Sequence, residues 1–297
     1  MSAPILLPFI FLRVLLTQSK SEIQLKKKNE LTLRVLSGIP AFIAILSLLF
    51  FSPWQVIAVV VVLAMLYGMT EYQLLLEKIT GNRNLVIPLF STLLIGVGGW
   101  VSGVAGIQSA LVLAMLISIL HRMVSENHDL ARLQSVAMDG FGLFWIPWSF
   151  GHLILILQRP DGPRLVLMLV LVMIFNDTMA FFTGKSLGRN KLMPGVSPNK
   201  TIEGSLGGIM GGVAGGWVAV TWLLPPHYQW DFPLILGLSA GLAMVGQVGD
   251  LVESMVKRAA GVKDSGRFLP GHGGFLDRLD VFLLAPPMMY YTLRFFL

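Results

Sequence analysis

The chain has no cysteine, and only 13% of its 297 residues are charged. The first absence excludes disulfides, thiolate metal sites and a cysteine nucleophile, so any metal here must sit on oxygen or imidazole. The second excludes the surface of an ordinary water-soluble protein. With 55% hydrophobic residues and a mean hydropathy of +0.74, the composition is that of a polytopic membrane protein. Internal repeats and low-complexity linkers are also missing, which points to one integral unit rather than a soluble domain on an anchor. Residues 1–17 are apolar but contain Pro4, Pro8 and Arg13, without a basic n-region or a small-residue cleavage site. That argues against a signal peptide and for an interfacial or re-entrant helix. A net charge of +6 could suggest nucleic acid, but the basic residues lie in short loops between apolar runs. There they set orientation and meet anionic lipid or phosphate, so the expected partners are membrane lipids and no nucleic acid.

Apolar runs long enough to span lipid fall near 35–51, 54–76, 85–104, 105–120, 136–157, 164–183, 205–225, 232–251 and 279–297. This predicts an all-α bundle of about nine transmembrane helices. The chain divides into an N-terminal interfacial or cytoplasmic segment (1–34), an N-terminal transmembrane bundle (35–160) and a C-terminal transmembrane catalytic region (161–297). Alternate loops are basic, among them those holding Lys26 to Lys28, Lys78, Arg122, Lys185 to Lys200 and Lys257 to Arg278. The positive-inside rule puts these in the cytoplasm and the C-terminus outside.

Acids inside lipid are costly and are functional candidates by default: Glu71, Asp139, Asp177 and Asp250. If the helix carrying Asp250 continues past it, Ser254 and Lys257 share its face at i+4 and i+7. Asp277 and Asp280, at i and i+3, can face one point, and beside Asp250 they could hold a hard cation through oxygen, as magnesium requires. Between them, Pro270-Gly-His-Gly-Gly274 lets backbone amides approach an anion closely. Carboxylates, cations and a glycine-rich turn together are what phosphoryl or nucleotidyl transfer needs. A second polar loop, Gly184-Lys-Ser-Leu-Gly-Arg189 with Ser197-Pro-Asn-Lys-Thr-Ile-Glu-Gly204, adds cations and hydroxyls on the same membrane face. Gly184-Lys-Ser186 is not a P-loop, because Met179 stands where that pattern needs glycine. The glycines at 204, 208, 212 and 216, with 207, 211 and 215, read as a close helix-packing ridge. Lys185, Arg189 and Lys191 read first as topology determinants.

The run from Ser254 to Asp280 resembles the hallmark of the phosphatidate cytidylyltransferase (CDP-diacylglycerol synthase) family. All eleven fixed positions match: Ser254, Lys257, Arg258, Lys263, Asp264, His272, Gly273, Gly274, Asp277, Arg278 and Asp280. The likeness extends through Gly249-Asp-Leu-Val-Glu253, Ser197 to Gly204 and Asn176-Asp-Thr-Met-Ala-Phe181. It departs locally, with Asn176 where a small residue and Phe181 where tyrosine are common.

The resemblance implies that CTP and phosphatidic acid give CDP-diacylglycerol and pyrophosphate, with Mg2+ and room for a second cation such as K+. It implies metal on Asp250 and Asp277, and catalytic roles for Asp177, Lys257, Arg258, Lys263, Asp264, His272, Arg278 and Asp280. Substrate binding falls to Ser197, Lys200, Thr201, Glu203, Ser254, Gly273 and Gly274. A bacterial inner membrane location with a cytoplasmic active site is expected, and a homodimer is left open. Two alternatives stand: a CTP-dependent polyprenol or phytol kinase, which releases CDP, and an ion-coupled transporter using Glu71, Asp139 and Asp177.

Overall fold

The computed structural model describes residues 40, 43–125, 129–225, 230–266, 268 and 273–296. The segment 1–34, with its expected interfacial helix, and His272 lie outside them. The described chain is an all-α membrane bundle with one small hairpin. It comprises α1 (43–51), α2 (Trp54–Thr80), α3 (Val86–Ser125), α4 (Asp129–Leu143), a π-helical turn (Phe144–Trp148) and α5 (Ser149–Leu157). There follow α6 (Gly162–Leu187), the strands β1 (Lys191–Met193) and β2 (Ser197–Thr201), α7 (Ile202–Trp222) and α8 (Phe232–Ala259). The chain ends with α9 (Leu276–Leu279), a 3-10 turn (Asp280–Phe282) and α10 (Ala285–Phe296). Among the described residues, five helical stretches are long and apolar enough to cross a membrane: α2, α3, the run α4 to α5, α6 and α8.

The forty residues of α3 would run about 60 Å if straight, roughly twice the hydrocarbon thickness. Gly103 breaks them with φ 63°, ψ −139°, a conformation that glycine adopts freely. A Cβ on Gly98 would lie 2.6 Å from the carbonyl oxygen of Gly106, so the two arms fold back against one another. This is the physical basis of the near-continuous pair of runs at 85–104 and 105–120. In the α4 to α5 stretch, Pro147 supplies no N–H to the ladder, and the backbone widens there into the π turn. The last run differs more from its reading: α10 begins at Ala285, not 279, because Pro286 and Pro287 fit only a first turn.

Two glycine stripes on α7 face two neighbours. A Cβ on Gly207 would overlap the Thr183 side chain of α6, and one on Gly212 would lie 2.6 Å from the Ala243 Cβ of α8. The ridge read from the sequence therefore packs α7 against both α6 and α8, and these are the helices that carry Asp177 and Asp250.

Candidate active site

Between Asp250 and Ala259 the sequence has neither glycine nor proline, and α8 continues to its end at Ala259; Gly261, at φ 67°, follows in a turn. Asp250, Glu253, Ser254 and Lys257 consequently share a face. Ser254 Oγ lies 3.5 Å from Asp250 Oδ1. Gly249 has no Cβ to obstruct the backbone of Asp280, so the 3-10 turn rests on α8 and brings its carboxylate in. Asp250, Glu253 and Asp280 each present an oxygen within 4.8 Å of the others.

Glu253 is 0% exposed, and neither oxygen takes a hydrogen bond of good geometry. The Lys257 ammonium, 2.5 Å from its Oε2, faces it as an ion pair. Three carboxylates this close repel one another, and an all-oxygen donor set that includes the buried Glu253 carboxylate, whose Oε1 has no partner, suits a hard divalent cation. In the sequence Glu253 stands only within the Gly249 to Glu253 extension of the family likeness, with no role of its own. Its signal was present in the spacing, three residues after Asp250 and four before Lys257 on one helix.

A cavity of about 520 Å³ opens beside this group, lined by Asp177, Lys185, Lys200, Thr201, Gln247 and Asp250 among others. That volume is in the range of small-molecule sites. Lys200, on β2, pairs with Asp250 at 2.5 Å. The hairpin that presents Lys200 pairs Lys191 with Thr201 and Met193 with Ser197. Thr201 caps α7 through its Oγ1, 3.1 Å from the Gly204 N–H. Asp177 is oriented from behind: Asn176 Nδ2 donates to its Oδ1 at 3.0 Å, and Gln247 Nε2 donates to Asn176 Oδ1 at 2.8 Å. Gln247 is held in turn by Ser205. Asn176, a departure from the family pattern, thus fixes the neighbouring acid.

Asp277 lies one lysine away from the acidic group. Its Oδ1 takes Lys257 Nζ at 2.5 Å, and its Oδ2 takes the N–H of Ser265 at 2.8 Å, the N–H of Gly274 at 2.7 Å and Ser265 Oγ at 3.0 Å. Burial works against its charge, yet Lys257 and the two backbone donors hold Asp277 below the usual carboxylate range. The described end of the glycine-rich turn cradles carboxylates of the protein itself. Gly274 serves Asp277, while the N–H groups of Phe275 and Leu276 serve Glu71 at 2.9 Å each.

The remaining candidates spread outward. Glu203 is occupied by the N–H groups of Arg189 and Asn190 and by Asn190 Nδ2, tying the start of β1 to α7. Lys263 and Asp264 are exposed and line a separate cavity of about 730 Å³ with Glu77 and Lys78. Arg258 and Arg278 are exposed, and Gly273 sits at φ 80° in the turn before α9. Asp139 is held from another helix: it is paired with Arg122 at 2.8 Å and takes Ser118 Oγ at 2.8 Å, both on α3.

Residues 32–296 match the model of the cytidylyltransferase family. The phosphatidate cytidylyltransferase of Staphylococcus haemolyticus is 38% identical over 197 residues, 65% of this chain and 70% of that protein. Those of Staphylococcus aureus and Staphylococcus epidermidis are 36% and 37% identical over the same shares. A match over nearly the full length, with the acidic group and its lysines inside it, establishes that the chain belongs to the cytidylyltransferase family.

Proposed function

We propose that this site transfers the cytidylyl group of CTP to phosphatidate at the cytoplasmic face of a bacterial inner membrane, releasing CDP-diacylglycerol and pyrophosphate. The carrying observation is the acidic group of Asp250, Glu253 and Asp280, built around the buried Glu253 with more carboxylates than lysines, set beside a cation-lined cavity at the ends of apolar helices. The chain is a nucleotidyltransferase of phospholipid synthesis.

A phosphate oxygen of phosphatidate attacks the α-phosphorus of CTP, and the bond from that phosphorus to the bridging oxygen breaks as pyrophosphate leaves. The attacking phosphate is already ionised, so neither a protein nucleophile nor a strong general base is required. Asp250 and Asp280 would hold Mg2+, which supplies charge neutralisation on the triphosphate as it does in other nucleotide-processing sites. Lys257 is shared between Glu253 and Asp277; turned toward a substrate phosphate, it would free both carboxylates, and Asp277 then joins the ligand set that the motif suggests. Lys200 and Lys185 line the cavity where anions gather. Asp177 opens onto the same cavity and orients what binds there.

The test is pyrophosphate release by the purified protein in detergent. Release that requires CTP, phosphatidate and Mg2+ together, with CDP-diacylglycerol as the lipid product, is the expected result. Release of CDP with a phosphorylated alcohol would replace this reading with the lipid kinase, and CTP-independent uptake into sealed vesicles would replace it with a transporter.

A further inference from the structure

Glu71 comes from α2, about 200 positions before the charged motif, yet its carboxylate is embedded in that motif. It is 4% exposed. Oε1 accepts the Phe275 N–H at 2.9 Å, and Oε2 accepts the Leu276 N–H at 2.9 Å and Ser265 Oγ at 3.0 Å. The motif is also shaped around it. A Cβ on Gly266 would overlap Glu71 Oε1, and one on Gly274 would stand 2.7 Å from Oε2. Ser265 has one hydroxyl proton and lies 3.0 Å from both Glu71 Oε2 and Asp277 Oδ2, so it couples the two acids. From Asp277 the chain of contacts continues to Lys257 and then to Glu253.

We infer that Glu71 is a positioning residue for cytidylyl transfer: through Ser265 and the turn at 274–276 it fixes Asp277, and through Asp277 it fixes the Lys257 ammonium. This rests on the reaction proposed above. Glu71 touches no substrate. It sets the place of the groups that do, and it joins the N-terminal bundle to the reaction. A carboxylate without its proton is an acceptor only, matching the two backbone N–H groups and the one hydroxyl proton that Ser265 places between the two acids; an amide would turn its NH2 against at least one of the backbone N–H groups.

The experiment compares wild type with Glu71→Gln, Glu71→Asp, Ser265→Ala and Asp139→Asn, measuring pyrophosphate release per folded enzyme and the thermal unfolding midpoint. Glu71→Gln should lower kcat about thirtyfold while the CTP KM stays within about threefold, a split that general loosening does not produce. Glu71→Asp should recover much of the loss, and Ser265→Ala, which leaves the two backbone contacts, should cost about tenfold. Asp139→Asn should lower the midpoint and leave turnover of the folded fraction within about twofold. A Glu71→Gln enzyme whose turnover per folded molecule is within about twofold of wild type overturns the inference. If that variant does not fold, Ser265→Ala decides, and near-normal turnover there overturns it equally. A silent wild type would sink the reaction itself, and the role of Glu71 with it.

Discussion

Two buried acidic places in this bundle differ in how their charge is closed. Asp139 meets Arg122 through both oxygens, at 2.8 and 3.1 Å, and Ser118 completes the set. The acid meets the guanidinium in bidentate geometry, and among the described residues both of its oxygens are satisfied. Around Asp250, three carboxylates crowd together, with Lys200 on one and Lys257 shared between Glu253 and Asp277. Glu253, the most buried of them, has no good hydrogen bond. An acid inside an apolar span is therefore not by itself a sign of chemistry. A surplus of acid that the fold leaves unbalanced is, because holding it costs stability that only a ligand returns.

The comparison breaks most plainly if the two places are neutralised in turn. Asp280→Asn should slow pyrophosphate release by about a thousandfold or more, while the unfolding midpoint without metal stays level or rises, since one repelling charge is gone. Asp139→Asn should do the reverse. Breaking the buried Arg122–Asp139 pair should cost about 3–5 kcal/mol, with turnover of the surviving folded protein nearly intact. Equal behaviour of the two variants in paired activity and melting measurements would erase the distinction.

A smaller effect sharpens it. If the acidic surplus is a metal site, Mg2+ at about a hundred times its dissociation constant should add about 2.7 kcal/mol of stability, read as a raised midpoint, and a chelator should reverse it. Asp250→Asn should abolish that response and Asp139→Asn should keep it. A midpoint that ignores Mg2+ in wild type would remove the ion from the acidic group.

The membrane class and the location of the charged site were legible because they rest on run length and on residue type. Hydropathy found the apolar stretches, and the α8 face carrying Asp250, Ser254 and Lys257 followed from helical spacing alone. What was not legible depended on contacts across long separations. Nothing in the sequence places Glu71 beside Phe275 and Leu276. The glycines at 273 and 274 read as a substrate cradle, and the fold shows the Gly274 amide, with those of Phe275 and Leu276 after it, serving Asp277 and Glu71. Glu253 was missed although its spacing was visible. Backbone breaks were half legible: Gly103 separates two runs, whereas the π turn at Pro147 lies inside one.

The smallest expected effect concerns Glu203, a third kind of carboxylate, half-exposed and closed by amides rather than by a cation. Its own N–H and that of Arg189 lead in holding it below the usual range, partly opposed by burial, with Asn190 adding to the lowering. A carboxyl whose folded pKa is depressed contributes stability that is full above its unfolded pKa, about 4.3, and is lost as pH falls through the folded value. The midpoint of Glu203→Gln should therefore sit slightly below wild type at neutral pH, and the gap should close below about pH 4. Family resemblance assigns Glu203 to substrate binding, which would raise the CTP KM of the same variant about tenfold or more. The geometry favours a change within about threefold, because a carboxylate already holding the loop at 189–190 to α7 has little left to offer a nucleotide that is itself an anion.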